Sequence, residues 1–105
     1  MNGKSRLRFR QQAEIESAPL EGECVLYNPE ADRFLHLNRT ASFIWGRIKD
    51  PASAEEIAGD LVRRFSGVTT PDAIRDVSAT LEELVSMSVV ESLPAPEAAA
   101  DRENR

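Results

Sequence analysis

Cys24-Val-Leu-Tyr-Asn-Pro-Glu-Ala-Asp-Arg-Phe-Leu-His-Leu-Asn-Arg-Thr-Ala-Ser-Phe-Ile-Trp45 is the stretch from which the fold of this chain is read. Glu23–Tyr27 is rich in β-formers and reads as a strand. Asn28–Asp32 is the connecting turn, and Pro29 fixes a backbone angle suited to it. Arg33–Leu37 is a further strand, and its alternation sets Phe34 and His36 on one face and Leu35 and Leu37 on the other. Asn38 follows at once as a helix cap, its side-chain oxygen able to accept from a free amide of the first turn. The helix then continues to about Ile48, with Ala41, Ile44, Trp45 and Ile48 on one stripe. A hairpin feeding straight into helices in so small a chain points to a compact binding module rather than an enzyme.

On the N-terminal side, residues 1–7 read as a loose basic arm. Residues 8–16 form a weak strand whose strong apolar residues are Phe9 and Ile15, and Ala18-Pro19-Leu20-Glu21-Gly22 reads as a break. On the C-terminal side, Asp50-Pro51 ends the first helix. Ser53 and Glu56 match a capping box, which starts a second helix from Ala54 to about Phe65, ended by Gly67. Thr70-Pro71 reads as cap and first position of a third helix, reaching about Met87 with Ile74, Val77, Leu81, Leu84 and Val85 as its stripe. Val89-Val90 adds a short final strand. From Leu93 onward large apolar residues run out, and a disordered tail over 93–105 is expected. Strands followed by helices give an α+β fold: a three-stranded antiparallel sheet and then three α-helices, a winged helix-turn-helix arrangement with its sheet at the N-terminus. One domain over residues 8–92 holds all of it.

The 105 residues fit one domain with a small core and little room for a deep, water-excluding cavity. No apolar run is long enough to span a bilayer, and no apolar segment follows the basic start as a signal peptide requires. The single cysteine, Cys24, excludes an internal disulfide framework and fits a reducing cytoplasm. Lys4, Arg6, Arg8 and Arg10 give the first ten residues +4, which against a total of −5 leaves −9 on the rest. Such a body repels a phosphate backbone.

The runs Val25-Leu26-Tyr27-Asn28-Pro29-Glu30 and Leu35-His36-Leu37-Asn38-Arg39-Thr40-Ala41 leading to Ile44-Trp45 resemble the PqqD family, as do Ala54-Glu55-Glu56-Ile57-Ala58 with Leu61, and Asp76-Val77 with Leu81 and Leu84. The members are small peptide chaperones that recognise the leaders of ribosomally made, post-translationally modified peptides. The resemblance covers about Glu23 to Glu91. Ile48-Lys49-Asp50-Pro51 stands where quinone-pathway members commonly place Cys-Asp-Gly, and Ser88 stands before Val89-Val90 where they tend to have Gly. A lasso-peptide or other peptide-modification pathway is therefore equally open.

The resemblance implies that a precursor's leader docks between Arg33–Leu37 and the third helix as an added antiparallel strand. An edge strand supplies free N–H and C=O groups for this, and neighbouring pockets select side chains. The residues so implicated are Arg33, Phe34, Leu35, His36 and Leu37, with Ile74, Arg75, Val77, Ser78 and Leu81 across the groove. A helical wheel sets two shoulders beside the third helix's stripe: Arg75, Ser78 and Glu82, or Asp76, Thr80 and Met87. Either could face the groove, with Ile74, Val77 and Leu81 at its floor. The implied partners are the precursor peptide and a modifying enzyme such as a radical S-adenosylmethionine maturase, a cyclase or a peptidase. A homodimer through the same edge is also open.

His36 and Cys24 lack the second Cys or His that would complete a zinc site, so no metal or cofactor is expected; they read as a surface imidazole and a small buried thiol. Trp45 belongs to the core stripe, whereas Phe43 lies off it and suits either an interface or a satellite core. Glu82 and Glu83 point in different directions on a helix and do not converge for acid–base work. The competing reading is a winged-helix DNA-binding regulator using the third helix. Asp72, Asp76, Glu82 and Glu83 against Arg75 leave that helix at −3, where recognition helices need Lys and Arg.

Overall fold

The computed structural model describes residues 7–94. The chain runs β1 (Arg8–Gln11), β2 (Glu16–Leu20), β3 (Glu23–Asn28), β4 (Arg33–Leu37), α1 (Arg39–Arg47), β5 (Ala52–Ser53), α2 (Ala54–Arg64), α3 (Thr70–Ser86) and β6 (Val90–Leu93). The α+β class and the N-terminal antiparallel sheet stand as expected, and the helices follow in the expected places. The strands differ in number: they form two antiparallel three-stranded sheets, ordered β2-β3-β4 and β5-β1-β6. The basic arm, apart from Leu7, and the tail beyond Pro94 lie outside the described residues, and Leu93, expected in the tail, instead closes β6 opposite Arg8.

Two corrections concern the N-terminal half. The segment expected as one weak strand over 8–16 is divided: β1 leaves to pair with β6, from Arg8 opposite Leu93 to Gln11 opposite Val90. The segment expected as a break at 18–20 is instead strand β2, with Pro19 opposite Cys24. β2 has only one neighbour, and proline is tolerated on an edge strand, where its missing N–H leaves no gap in the sheet interior. The break shrinks to Glu21-Gly22, with φ of 51° and 86°. Two successive left-handed residues make the tight hairpin turn whose twist matches the flanking strands.

The β3–β4 connection is held by Asn28, a buried residue whose Oδ1 accepts from the amides of Glu30 (3.1 Å) and Ala31 (3.3 Å). Its side chain thus mimics a turn of backbone. Tyr27 Oη donates to Asp32 Oδ1 at 2.9 Å. At the other end of β4, Asn38 Oδ1 accepts from Ala41 N–H at 2.8 Å and starts α1. Ser53 and Glu56 form the full reciprocal capping box of α2. The cap of α3 is Thr69, one residue earlier than expected, with Oγ1 accepting from Asp72 N–H at 3.3 Å. Of two adjacent threonines, Thr69 keeps the extended backbone a cap needs.

One core fills the space between the sheets and the helices. Leu26 and Leu37 enter from the sheet, Ile44, Trp45 and Ile48 from α1, Ile57 and Leu61 from α2, and Val77, Leu81 and Leu84 from α3. Phe43 resolves to a satellite of this core. It is half-buried, edge-to-face with Phe65 at 5.7 Å between centroids, and has Arg64 5.8 Å from its ring centre.

Candidate peptide-binding groove

β4 pairs with β3 alone, in a register that sets Leu35 opposite Leu26 and Leu37 opposite Cys24. Those residues face inward. Phe34 and His36 face outward, as the alternation requires. Phe34 is 73% exposed and lies against Tyr27 with centroids 4.7 Å apart, and His36 Nε2 meets Glu23 Oε1 at 2.8 Å. The far side of β4 has no strand beside it among the described residues, so alternate backbone N–H and C=O groups along Arg33–Leu37 project unpaired.

That free side opens on a groove of about 480 Å³ whose opposite wall is α3. Leu35, His36 and Leu37 line the strand side, and Asp76, Ala79, Thr80, Glu83 and Met87 the helix side. At about 100° per residue, these five helix positions fall within one narrow stripe, roughly a quarter-turn from the buried Ala73-Val77-Leu81-Leu84 stripe. The groove shoulder is therefore Asp76, Thr80 and Met87. Arg75 and Ser78 lie on the opposite shoulder, and Arg75 is tied to Asp72 at 3.1 Å.

Several expected positions are thereby moved. Val77 and Leu81 are fully buried in the core and line no part of the groove. Ile74 is half-buried and also absent from its lining. The apolar floor comes from Leu37 and Leu84 instead. The sequence placed the wheel angles correctly but not the side on which the sheet packs, because that is fixed by tertiary contacts.

A second hollow of about 360 Å³ continues the first toward the start of β4, sharing Leu35 and Met87 with it. Leu26, Arg33, Phe34 and Val89 complete much of its lining. A larger hollow of about 640 Å³ lies between α1 and α2, lined by Arg8, Arg47, Lys49 and Arg63 with Asp50, Glu55, Glu56 and Asp60. Its charges balance, and Asp60 is engaged by both Arg47 and Arg63. Hydrogen bonding from Arg47 holds the Asp60 carboxyl below the usual carboxylate range. The other sheet edges suit a guest less well: β2 carries Pro19, β5 has two residues, and neither β2 nor the four-residue β6 borders any of these hollows.

Cys24 and His36 lie on opposite faces of the sheet and cannot act as nucleophile and base. Burial pushes the Cys24 thiol up, away from its reactive thiolate form. Among the described residues, no group of His, Cys, Asp or Glu is placed to hold a metal ion, and no helix is long and apolar enough to cross a membrane.

Fold and site together define a small α+β module with a vacant strand edge facing a helix across a groove. Residues 23–90 match the model of the PqqD family, described as Coenzyme PQQ synthesis protein D, and the chain belongs to that family. Two solved structures share its fold. One is TbiB1 in complex with the TbiA(beta) leader peptide: TM-score 0.72, 24% identity, covering 78% of this chain and 94% of that one. The other is a lasso peptide synthetase B1 complexed with the leader peptide: TM-score 0.67, 30% identity, covering 82% of this chain and 98% of that one. No curated protein sequence matches the chain.

Proposed function

We infer that this protein is a non-catalytic module that captures the leader of a ribosomally synthesised precursor peptide and presents it to a separate modifying enzyme. The leader adds to β4 as a further antiparallel strand, between Arg33–Leu37 and the Asp76-Thr80-Met87 face of α3. The observation that carries this reading is the unpaired side of β4 opening on a groove walled by α3. Backbone hydrogen bonds then supply affinity, and the two hollows supply selectivity. Membership of the PqqD family and likeness to two leader-bound chains support the same assignment.

The 30% identical relative is a lasso peptide synthetase component, which favours a lasso-type pathway with a peptidase or cyclase as partner over a radical S-adenosylmethionine maturase. The reading places the module in the cytoplasm beside its precursor. A DNA-binding role is disfavoured by charge, since Asp76 and Glu83 stand on the face α3 presents at the groove.

The test is titration of the full chain with the leader of the precursor encoded beside its gene, followed by amide chemical shifts. Saturable binding with shifts concentrated at Arg33–Leu37 and Asp76–Met87 is expected. No binding, with or without the partner enzyme, overturns the assignment, as do shifts confined to other elements.

A further inference from the structure

The two carboxylates of the groove have no part in the core and no ion pair among the described residues: Asp76 and Glu83 are both exposed, and neither contacts an Arg, Lys or His. No Lys or Arg lines that part of the groove. At the other end, Arg33 borders the second hollow, where apolar walls come from Leu26, Phe34, Leu35, Met87 and Val89. The groove is therefore acidic at one end and apolar with a cation at the other.

Its direction is fixed by the lining. Asp76 shares the first hollow with Leu37 at the end of β4 and with Asn38, Thr40 and Ala41 just after it, while Ser86–Val89 shares the second with Arg33–Leu35. So α3 runs opposite to β4. A guest strand antiparallel to β4 runs the same way as α3, with its N-terminal part at Asp76 and its C-terminal part at Met87.

We propose, resting on the capture of a strand-forming leader described above, that Asp76 and Glu83 select a leader with a Lys or Arg N-terminal to a large apolar anchor, and that this polarity fixes its direction. The offset follows from geometry. Helix rises about 1.5 Å per residue and strand about 3.3 Å, so Glu83 stands roughly two strand residues before Met87, and Asp76 roughly five. Side chains on one face of a strand recur every second residue. The cation thus falls two residues before the anchor at Glu83, or four or six before it at Asp76, and the anchor enters the hollow between Phe34 and Met87. A reversed peptide would bring its cation toward Arg33 and its apolar side chain between two carboxylates. Exposed charge pairs of this kind are worth up to about fivefold in affinity each.

The experiment pans a displayed library of random peptides of about twelve residues, long enough to cover an ordinary strand, against the full chain and its Asp76→Lys/Glu83→Lys variant. Circular dichroism and thermal unfolding confirm that the variant, altered at two exposed positions, is folded. The wild-type chain is expected to enrich Lys or Arg two, four or six residues before a large apolar residue. The variant is expected to enrich Asp or Glu at the same offset while keeping the apolar preference. Apolar enrichment without a charge preference, or a preference unchanged in the variant, overturns this inference and leaves peptide capture standing. No enrichment by the wild-type chain, where the encoded leader also fails to bind, overturns both.

Discussion

Asp60 shows how a single carboxylate joins two helices. It accepts from Arg47 Nε of α1 at 2.6 Å and also pairs with Arg63 on its own helix. The bond from Arg47 is the main cause of its lowered pKa, against a smaller opposing effect of burial. A carboxyl whose pKa is lower folded than unfolded stabilises the fold above the unfolded value, and that contribution is lost as pH falls through the folded value. Asp60→Asn should therefore cost about 1 kcal/mol or less at pH 7, because both arginines are partly exposed and screened. Below about pH 4 the gap between the two proteins should close. Urea unfolding at pH 7 and at successively lower pH measures it; an unchanged gap would mean that charge is not what Asp60 contributes. Nothing in the sequence pairs residues 47 and 60, since the α1–α2 packing brings them together. By contrast, Asn38 was readable as a cap because its partner, Ala41, is three residues away.

Helices and their caps were readable for the same reason: period, cap and stop signal all lie within a few residues of one another. The strands were readable only in part. β3 alternates between half-buried and buried side chains and β4 between exposed and more buried ones over Phe34–Leu37, whereas every residue of β2 is exposed and leaves no such pattern. β1 pairs with β6 across some eighty residues of chain, and no local feature of Arg8–Gln11 announces that partner. Glycines separate the elements further. Gly46 and Gly59 sit inside α1 and α2, and a Cβ at either would meet nothing within 4 Å. Replacing each with Ala should raise stability by about 0.5–1 kcal/mol, the entropy cost of glycine in a helix. Gly22, at φ +86° in the β2–β3 turn, is the opposite case. A Cβ there has room, its closest neighbour being Arg39 Nη2 at 3.6 Å, but the left-handed backbone makes Gly22→Ala cost about 1–2 kcal/mol. Thermal unfolding of the three variants checks both signs, and a Gly22→Ala protein as stable as the parent would refute the turn geometry.

For the molecule as a whole, the decisive feature is a sheet left open on one side. An unpaired edge ordinarily invites association with any strand, including a second copy of the same chain. Here the opening is narrowed by α3, which stands across from β4 and turns Asp76, Thr80, Glu83 and Met87 toward the gap. If a leader completes the ladder, its binding must show the period of an antiparallel strand. Only alternate guest residues point their N–H toward β4, the others pointing away. Methylating each backbone nitrogen of the bound leader in turn should therefore weaken binding strongly at every second position and little between. A lost hydrogen bond to an edge group that is desolvated in the complex costs about 1–3 kcal/mol, or roughly five- to 150-fold in Kd. Titration calorimetry on the methylated series gives the profile directly. Sensitivity without that alternation would mean that the leader is held through its side chains, and β4 would then be a wall of the groove rather than the template of a new strand.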